Sequence, residues 1–210
     1  MGDRDKKGLL IVFEGTDGTG KSTQLQLLYN VLNEKGYPVV ATREPTDGKY
    51  GRKIRELYIN RKNYSHEEEL ELFLADRREH VDELLNPALN RGEIILCDRY
   101  FLSTAAYQGA IGFDPETVLA RNNFAPEPDL ALLFHTPVNI GTSRIISGRG
   151  DTLNDFEQSE NLKKVAKIFS GIDRPYIKRI DATSSIESVH QTVMRHVTTL
   201  LASSSFLTLN

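Results

Sequence analysis

An apolar run, LLIVF at 9–13, breaks directly into EGTDGTGKST, which sets Gly15, Gly18, Gly20 and Lys21 within seven positions. Glycine loses more backbone freedom on folding than any other residue, so such a loop persists beside a strand only where the chain needs that freedom. Gly15, Gly20, Lys21 and Ser22 fit the spacing G-x-x-x-x-G-K-[ST], with a strand pattern before it and a helical pattern (Leu25, Leu28, Leu32) after it. In that setting the glycines let consecutive N–H groups point inward as an anion cradle, and a helix starting near Lys21 adds the positive end of its dipole. Phosphate is the anion such a loop fits. The predicted donor-nucleotide contacts are Gly15, Thr16, Asp17, Gly18, Thr19, Gly20, Lys21, Ser22 and Thr23. Lys21 is expected to reach the β and γ phosphates of ATP, and the Ser22 hydroxyl to ligate Mg²⁺.

Further apolar runs recur between helical patterns: PVVAT (38–42), EIILCD (93–98), LALLF (130–134) and YIKRID (176–181). Strands alternating with helices predict βαβ units and a parallel α/β sheet. The first helix is expected to stop at Gly36, a natural C′ residue. Ser65 before HEEE reads as an N-cap, and Leu70, Leu74, Val81, Leu84 and Leu85 continue a long helix near 66–90. Ile186, Val189, Val193, Val197 and Leu200 predict a final amphipathic helix. A chain of 210 residues without repeats or a low-complexity linker is expected to form one domain over 1–210, with a frayed tail near 203–210.

Composition removes several alternatives. With 26 basic against 29 acidic residues the net charge is −3, so a nucleic-acid or membrane partner is not expected. The single cysteine, Cys97, forms no internal disulfide, and the five histidines show no ligand-like spacing with it. The start MGDRDKKG lacks a following signal-peptide core, and no apolar run approaches a membrane span, so a cytoplasmic protein is expected.

The second substrate must be read outside the loop, because a phosphate cradle identifies nucleotide binding rather than a reaction. Asp98, ending EIILCD, would sit at the carboxyl edge of a buried strand, where it could hold Mg²⁺ through water or cap a following helix. Arg43, Arg55, Arg77 and Arg99 fall at strand ends or in the helices after them. Directed at one crevice they would clamp a phosphate, since a guanidinium fork matches it bidentately; singly, each would be a solvated surface charge. Phe73 and Arg77, four apart, share one helix face, where the ring would cover a base or simply fill core.

Taken in order, FEGTDGTGKST (13–23), TREP (42–45) with Arg55 twelve residues beyond Arg43, LFLADRREH (72–80), DRYFLSTAAYQG (98–109) and IDATSSIESV (180–189) resemble the thymidylate kinase family, over about residues 8–200. A P-loop combined with F-x-x-x-R and D-R-Y-x-x-S-x-x-A-Y-Q-G is far more specific than any piece alone. The resemblance implies a P-loop NTPase-type five-stranded parallel sheet of order 2-3-1-4-5, flanked by helices on both faces, with a short lid near 143–158. It implies phosphoryl transfer from MgATP to dTMP, and a homodimer. Asp17 resembles the carboxylate on the acceptor 3′ hydroxyl, and Phe73 the thymine-stacking ring. Arg77 resembles the arginine beside base and phosphate, while Arg55 and Arg99 resemble those gripping the phosphate. Glu44 and Pro45 fall in the acceptor-site signature. Thr104 and Gln108 fall at the pyrimidine edge, and Tyr107 where a tyrosine disfavours a ribonucleotide.

Some members carry an arginine directly after the Asp equivalent to Asp17; here that position is Gly18. Charge on the migrating phosphoryl group is then expected to be neutralised from the lid, SRIISGRGDTLNDFEQ, by Arg144 or Arg149. Arg149 beside Gly150 also suits a helix C-terminus. Three stretches depart from the family pattern: Thr46 and Asp47 where R-E-P-G-G is common, Phe134 to Pro137 where an acidic residue and a V-P-P turn are usual, and Asp155 to Glu157 in place of D-R-x-E.

Overall fold

The apolar runs become β1 (Leu9–Gly15), β2 (Val39–Arg43), β3 (Ile94–Asp98), β4 (Leu130–His135) and β5 (Ile177–Asp181). The structure, a computed structural model, describes residues 8–149 and 159–204. Every strand pairing is parallel and the order is β2-β3-β1-β4-β5, as the resemblance implied. The central strands β1, β3 and β4 are buried almost throughout, because helices cover both faces, and this is why they read as continuous apolar runs. Leu10 and Val12 of β1 face one apolar cluster; Leu9, Ile11 and Phe13 face the other. Each fully buried leucine or isoleucine there contributes roughly 1.5–3 kcal/mol.

The second cluster is closed by α1 (Lys21–Glu34) and, from the far end of the sequence, by the last helix, Ile186–Ser203. Gly36, with φ of 79°, ends α1 as expected: its N–H bonds Asn33 O at 2.9 Å and the Tyr37 N–H bonds Leu32 O at 3.1 Å. That pair of bonds is a Schellman closure, which satisfies two otherwise orphaned carbonyls. After α2 (Lys49–Asn60), the first cluster is covered by α3 (His66–His80), α4 (Asn86–Asn90), α5 (Phe101–Ala110), α6 (Pro115–Arg121) and α8 (Ser159–Gly171), while α7 (Val138–Arg149) packs beside α8.

Ser65 caps α3 in a full capping box with Glu68, worth about 1 kcal/mol. The expected long helix over 66–90 forms, but with a π turn at Val81–Leu85 between α3 and α4. Pro87 explains the widening: it has no N–H to donate and its ring crowds the carbonyl four residues back. The last helix, α9, needs one correction. Val189, Val193, Val197 and Leu201 form its buried stripe, whereas Ile186 is 55% exposed and Leu200 only partly buried. Ile186 directly follows the N-cap Ser185, and the i, i+4 repeat of the buried stripe lands on Leu201. Residues 205–210 of the tail lie outside the described residues.

Candidate active site

Parallel pairing sets Phe13 opposite Asp98, Arg43 opposite Asp98, and Gly15 opposite Phe134, so β2 and β3 end level with Phe13 while β1 runs on beside β4 to Gly15, at one edge of the sheet. Open α/β sheets bind ligands at this edge. The loop leaving β1 turns through Gly15, Gly18 and Gly20, all with positive φ. Gly18 needs its missing side chain, since a Cβ there would lie 2.1 Å from Gly141 O. Gly20 is different: a Cβ there would meet nothing within 4 Å, so its backbone faces open space at the head of α1. The Thr19 hydroxyl closes the loop on Thr16 O at 2.8 Å, and Lys21 Nζ donates to the same carbonyl at 2.8 Å. Burial, seconded by Arg99, draws the Lys21 ammonium down to about 8, against the pull of Asp17, Asp98 and Glu14. It is therefore still a cation at neutral pH.

Ser22 Oγ donates to Asp98 Oδ2, while Asp98 Oδ1 is buried with no hydrogen-bond partner among the described residues. Tyr100, not Asp98, occupies the N-cap of α5, so the capping alternative for Asp98 falls away. A hydroxyl and a carboxylate with a spare oxygen suit a hard cation such as Mg²⁺.

Beside the loop lies a cavity of about 520 Å³ whose lining includes Asp17, Glu44, Pro45, Arg55, Phe73, Arg77, Arg99, Thr104, Tyr107 and Gln108. The fold thus brings together the whole predicted acceptor set. Phe73 is half-buried and belongs to neither apolar cluster, which disposes of the core-aromatic alternative. Arg99 Nη2 donates to Asp17 Oδ1 at 2.7 Å, and Nη1 reaches Ser103 Oγ at 3.1 Å and Gly15 O at 3.3 Å. Its φ of 69° is left-handed, a conformation that costs a non-glycine residue about 1–2 kcal/mol. Tyr107 Oη donates to Asp17 Oδ2 at 2.9 Å. Burial alone would raise the Asp17 carboxyl, but Arg99, then Lys21 and Tyr107, hold it well below the carboxylate range.

Arg77 is 1% exposed and binds Glu44, Asn122 Oδ1 and, at 3.0 Å, Thr104 Oγ1; its Nε has no partner among the described residues. Glu44 Oε1 also meets His80 Nδ1 at 2.9 Å, and His80 Nε2 meets the Thr42 hydroxyl at 2.8 Å. Burial works to raise the Glu44 carboxyl, yet Arg77 and His80 outweigh it and keep it below its ordinary value. Deleting one member of a buried pair strands the other charge, so Glu44→Ala is expected to cost about 3–5 kcal/mol at neutral pH by denaturant unfolding. Because the folded value is depressed, Glu44 stabilises above its unfolded pKa and ceases to as pH falls through the folded one. The deficit of the variant should therefore narrow below about pH 4.

Gln108 Nε2 donates to Glu69 Oε1 at 2.8 Å, and Glu69 is gripped in turn by both arms of Arg61. This fixes the amide so that Gln108 Oε1, buried, is left without a partner among the described residues. The departure at Thr46 and Asp47 is accommodated. Thr46 bonds Asp76 through N–H (2.9 Å) and hydroxyl (2.6 Å), and Asp47 takes Arg43 at 2.9 Å and Arg55 at 3.0 Å. Arg144 Nη1 donates to Ala182 O at 2.9 Å, at the end of β5. The Arg149 side chain and lid positions 150–158, including the departure at Asp155 to Glu157, lie outside the described residues.

Sequence reading missed four contributors. Tyr58 lines the cavity three residues after Arg55, a spacing that signals a shared helix face. Glu14 and Ser103 sit inside quoted motifs without an assigned part. Asn122 gave no signal, standing 45 residues from Arg77. The fold also brings Glu44, His80 and Cys97 within 4.8 Å, which their spacing did not suggest. Cys97 Sγ is already committed to Arg99 O at 3.0 Å and Glu44 to Arg77, whose cation would repel a metal ion.

The glycine loop on one side and the guanidinium groups on the other meet at Asp17 and Arg99, and on this parallel sheet that is the layout of a P-loop nucleoside monophosphate kinase. The family model of thymidylate kinase matches residues 13–193. The chain is 58% identical over 194 residues to the thymidylate kinase of Desulfotalea psychrophila, covering 92% of this chain and 96% of that one. It is 46% identical over 186 residues to the thymidylate kinase of Akkermansia muciniphila (88% and 89% covered), and 45% identical over 182 residues to that of Xanthomonas campestris pv. campestris strain B100 (87% and 79%). The chain belongs to the thymidylate kinase family.

Proposed function

We propose that this chain transfers the γ-phosphoryl group of ATP to dTMP, giving ADP and dTDP. The observation that carries the reading is the shared wall: Asp17 of the phosphate loop also lines the acceptor cavity, and Arg99, which lines the same cavity, is bonded to it. Phosphoryl transfer passes through a loose transition state, so positioning and charge neutralisation suffice. Lys21 takes the β and γ phosphates. Ser22 Oγ and Asp98 Oδ1 are the atoms that would hold Mg²⁺, which when bound neutralises charge on those phosphates. Arg55, Arg77 and Arg99 hold the acceptor phosphate in line. Asp17 keeps lone pairs on both oxygens for the 3′ hydroxyl, and Tyr107, tied to Asp17, fills the space a 2′ hydroxyl would need.

Phe73 covers the base. The unpartnered Gln108 Oε1 accepts the N3–H of thymine, a proton that cytosine lacks, and Thr104 stands beside it. With Arg144 held on Ala182, at the edge where Asp181 to Thr183 are candidates for adenine, Arg149 is the lid residue that supplies charge to the migrating group. The molecule works as a single cytoplasmic domain with a lid over 143–158, and as a homodimer. No helix among the described residues is long and apolar enough to cross a membrane.

Steady-state assays with dTMP, dUMP, CMP and thymidine test the reading: dTMP should be strongly preferred over CMP, and comparable rates for CMP would refute it. Phe73→Ala should raise the KM for dTMP by roughly 10-fold, the loss of one stacked ring, and leave the KM for ATP alone. An unmoved KM for dTMP would remove the ring from the base site.

A further inference from the structure

We propose that Glu14 is a positioning residue for the transfer, acting through Ser103 to hold the Arg99 guanidinium between the phosphate loop and the acceptor cavity. The inference rests on the phosphoryl-transfer reading above. Glu14 is the penultimate residue of β1, fully buried, and does not itself line the cavity. A carboxylate so placed needs strong compensation. Among the described residues it receives three donors and no acceptor: Oε1 takes the N–H groups of Tyr100 (3.0 Å) and Ser103 (3.2 Å), and Oε2 takes the Ser103 hydroxyl. The two N–H groups belong to the start of α5, whose own N-cap side chain makes no capping bond. A strand residue therefore caps a helix distant in sequence, and its donors, with Arg99 nearby, favour the ionised carboxylate against burial, which pushes its pKa up.

The hydroxyl carries the consequence further. Once Ser103 gives its proton to Glu14, its lone pairs turn toward Arg99 Nη1 at 3.1 Å. The same guanidinium reaches Gly15 O and Asp17, and the residue bearing it sits in the left-handed backbone region. Such a conformation persists only where its surroundings over-determine it. The path Glu14, Ser103, Arg99, Asp17 thus leaves β1, crosses α5 and returns to the phosphate loop three residues later. Donor loop and acceptor arginine are held in one register, as in-line transfer requires.

Three variants of the full chain test this: Glu14→Gln, Ser103→Ala and Ser103→Thr. Glutamine keeps a carbonyl oxygen for the two N–H groups but loses the acceptor for the Ser103 proton. Glu14→Gln and Ser103→Ala should each lower kcat by roughly tenfold, with the KM for ATP moving less than about twofold. Ser103→Thr, which retains the hydroxyl, should recover most of what Ser103→Ala loses. The substrate-free nitrogen NMR signal of Arg99 Nε–H should be sharp in the parent and in Ser103→Thr, and broadened in the other two. Undiminished kcat in Glu14→Gln and Ser103→Ala, losses that only track the unfolded fraction, or an Arg99 signal identical across the series would each overturn the proposal. If Glu14→Gln does not fold, the serine pair decides alone. Absence of dTMP turnover in the parent would instead sink the functional reading, while the Arg99 signal still decides the positioning.

Discussion

Replacing Lys21 with alanine is expected to lower kcat by about 10³-fold at saturating ATP, the scale of removing one preorganised charge from a phosphoryl transition state. The effect should be catalytic rather than structural. Lys21 is 5% exposed and among the described residues makes one hydrogen bond, to Thr16 O, and burial already weakens its ammonium form. Alanine removes a cation that the fold holds at some cost, so the melting temperature should move by only a few degrees. Steady-state kinetics with a thermal melt on the same preparation check both halves. A kcat within threefold of the parent would contradict the part given to Lys21.

The second large effect concerns Arg99, where chemistry and backbone can be separated. Arg99→Ala and Arg99→Gly both delete the guanidinium and should lower kcat/KM for dTMP by about 10³-fold or more, since an acceptor contact and the Asp17 partner vanish together. Their stabilities should differ. Alanine keeps the penalty of the 69° φ, whereas glycine relieves it, so Arg99→Gly should be the more stable of the two by about 1 kcal/mol. Equal stabilities would show that the left-handed conformation relaxes once the side chain is gone. Retained activity in either variant would remove Arg99 from the acceptor site.

The elements that were legible in the sequence are those whose cause is local. All five strands were readable because burial on both faces produces unbroken apolar runs, and Ser65 and Gly36 mark helix ends through caps that act within a few residues. The residues proposed for the acceptor were marked only by motif resemblance, and the fold gathers them around one cavity. What escaped was decided by distant partners. Asn122 meets Arg77 only because α6 lies over α5, and Arg61 steers Gln108 through Glu69, a relay no periodicity encodes. Spacing along the chain likewise hid the meeting of His80, Glu44 and Cys97, which three separate elements deliver to one point. The exposure of Ile186 is a smaller case, where periodicity gave the helix but not which residues at its ends are buried.

The contact between Gly18 and Gly141 bears on how charge delivery can change within this family. An atom added at position 18 would collide with the Gly141 carbonyl, and the φ of +78° there already excludes a comfortable side chain. Installing an arginine by Gly18→Arg therefore cannot convert this layout into the one that carries the cation in the loop. The head of α7 would have to withdraw at the same moment. Two stretches more than a hundred residues apart must change in concert, so the alternative layouts are separated by a gap that no single substitution at position 18 bridges.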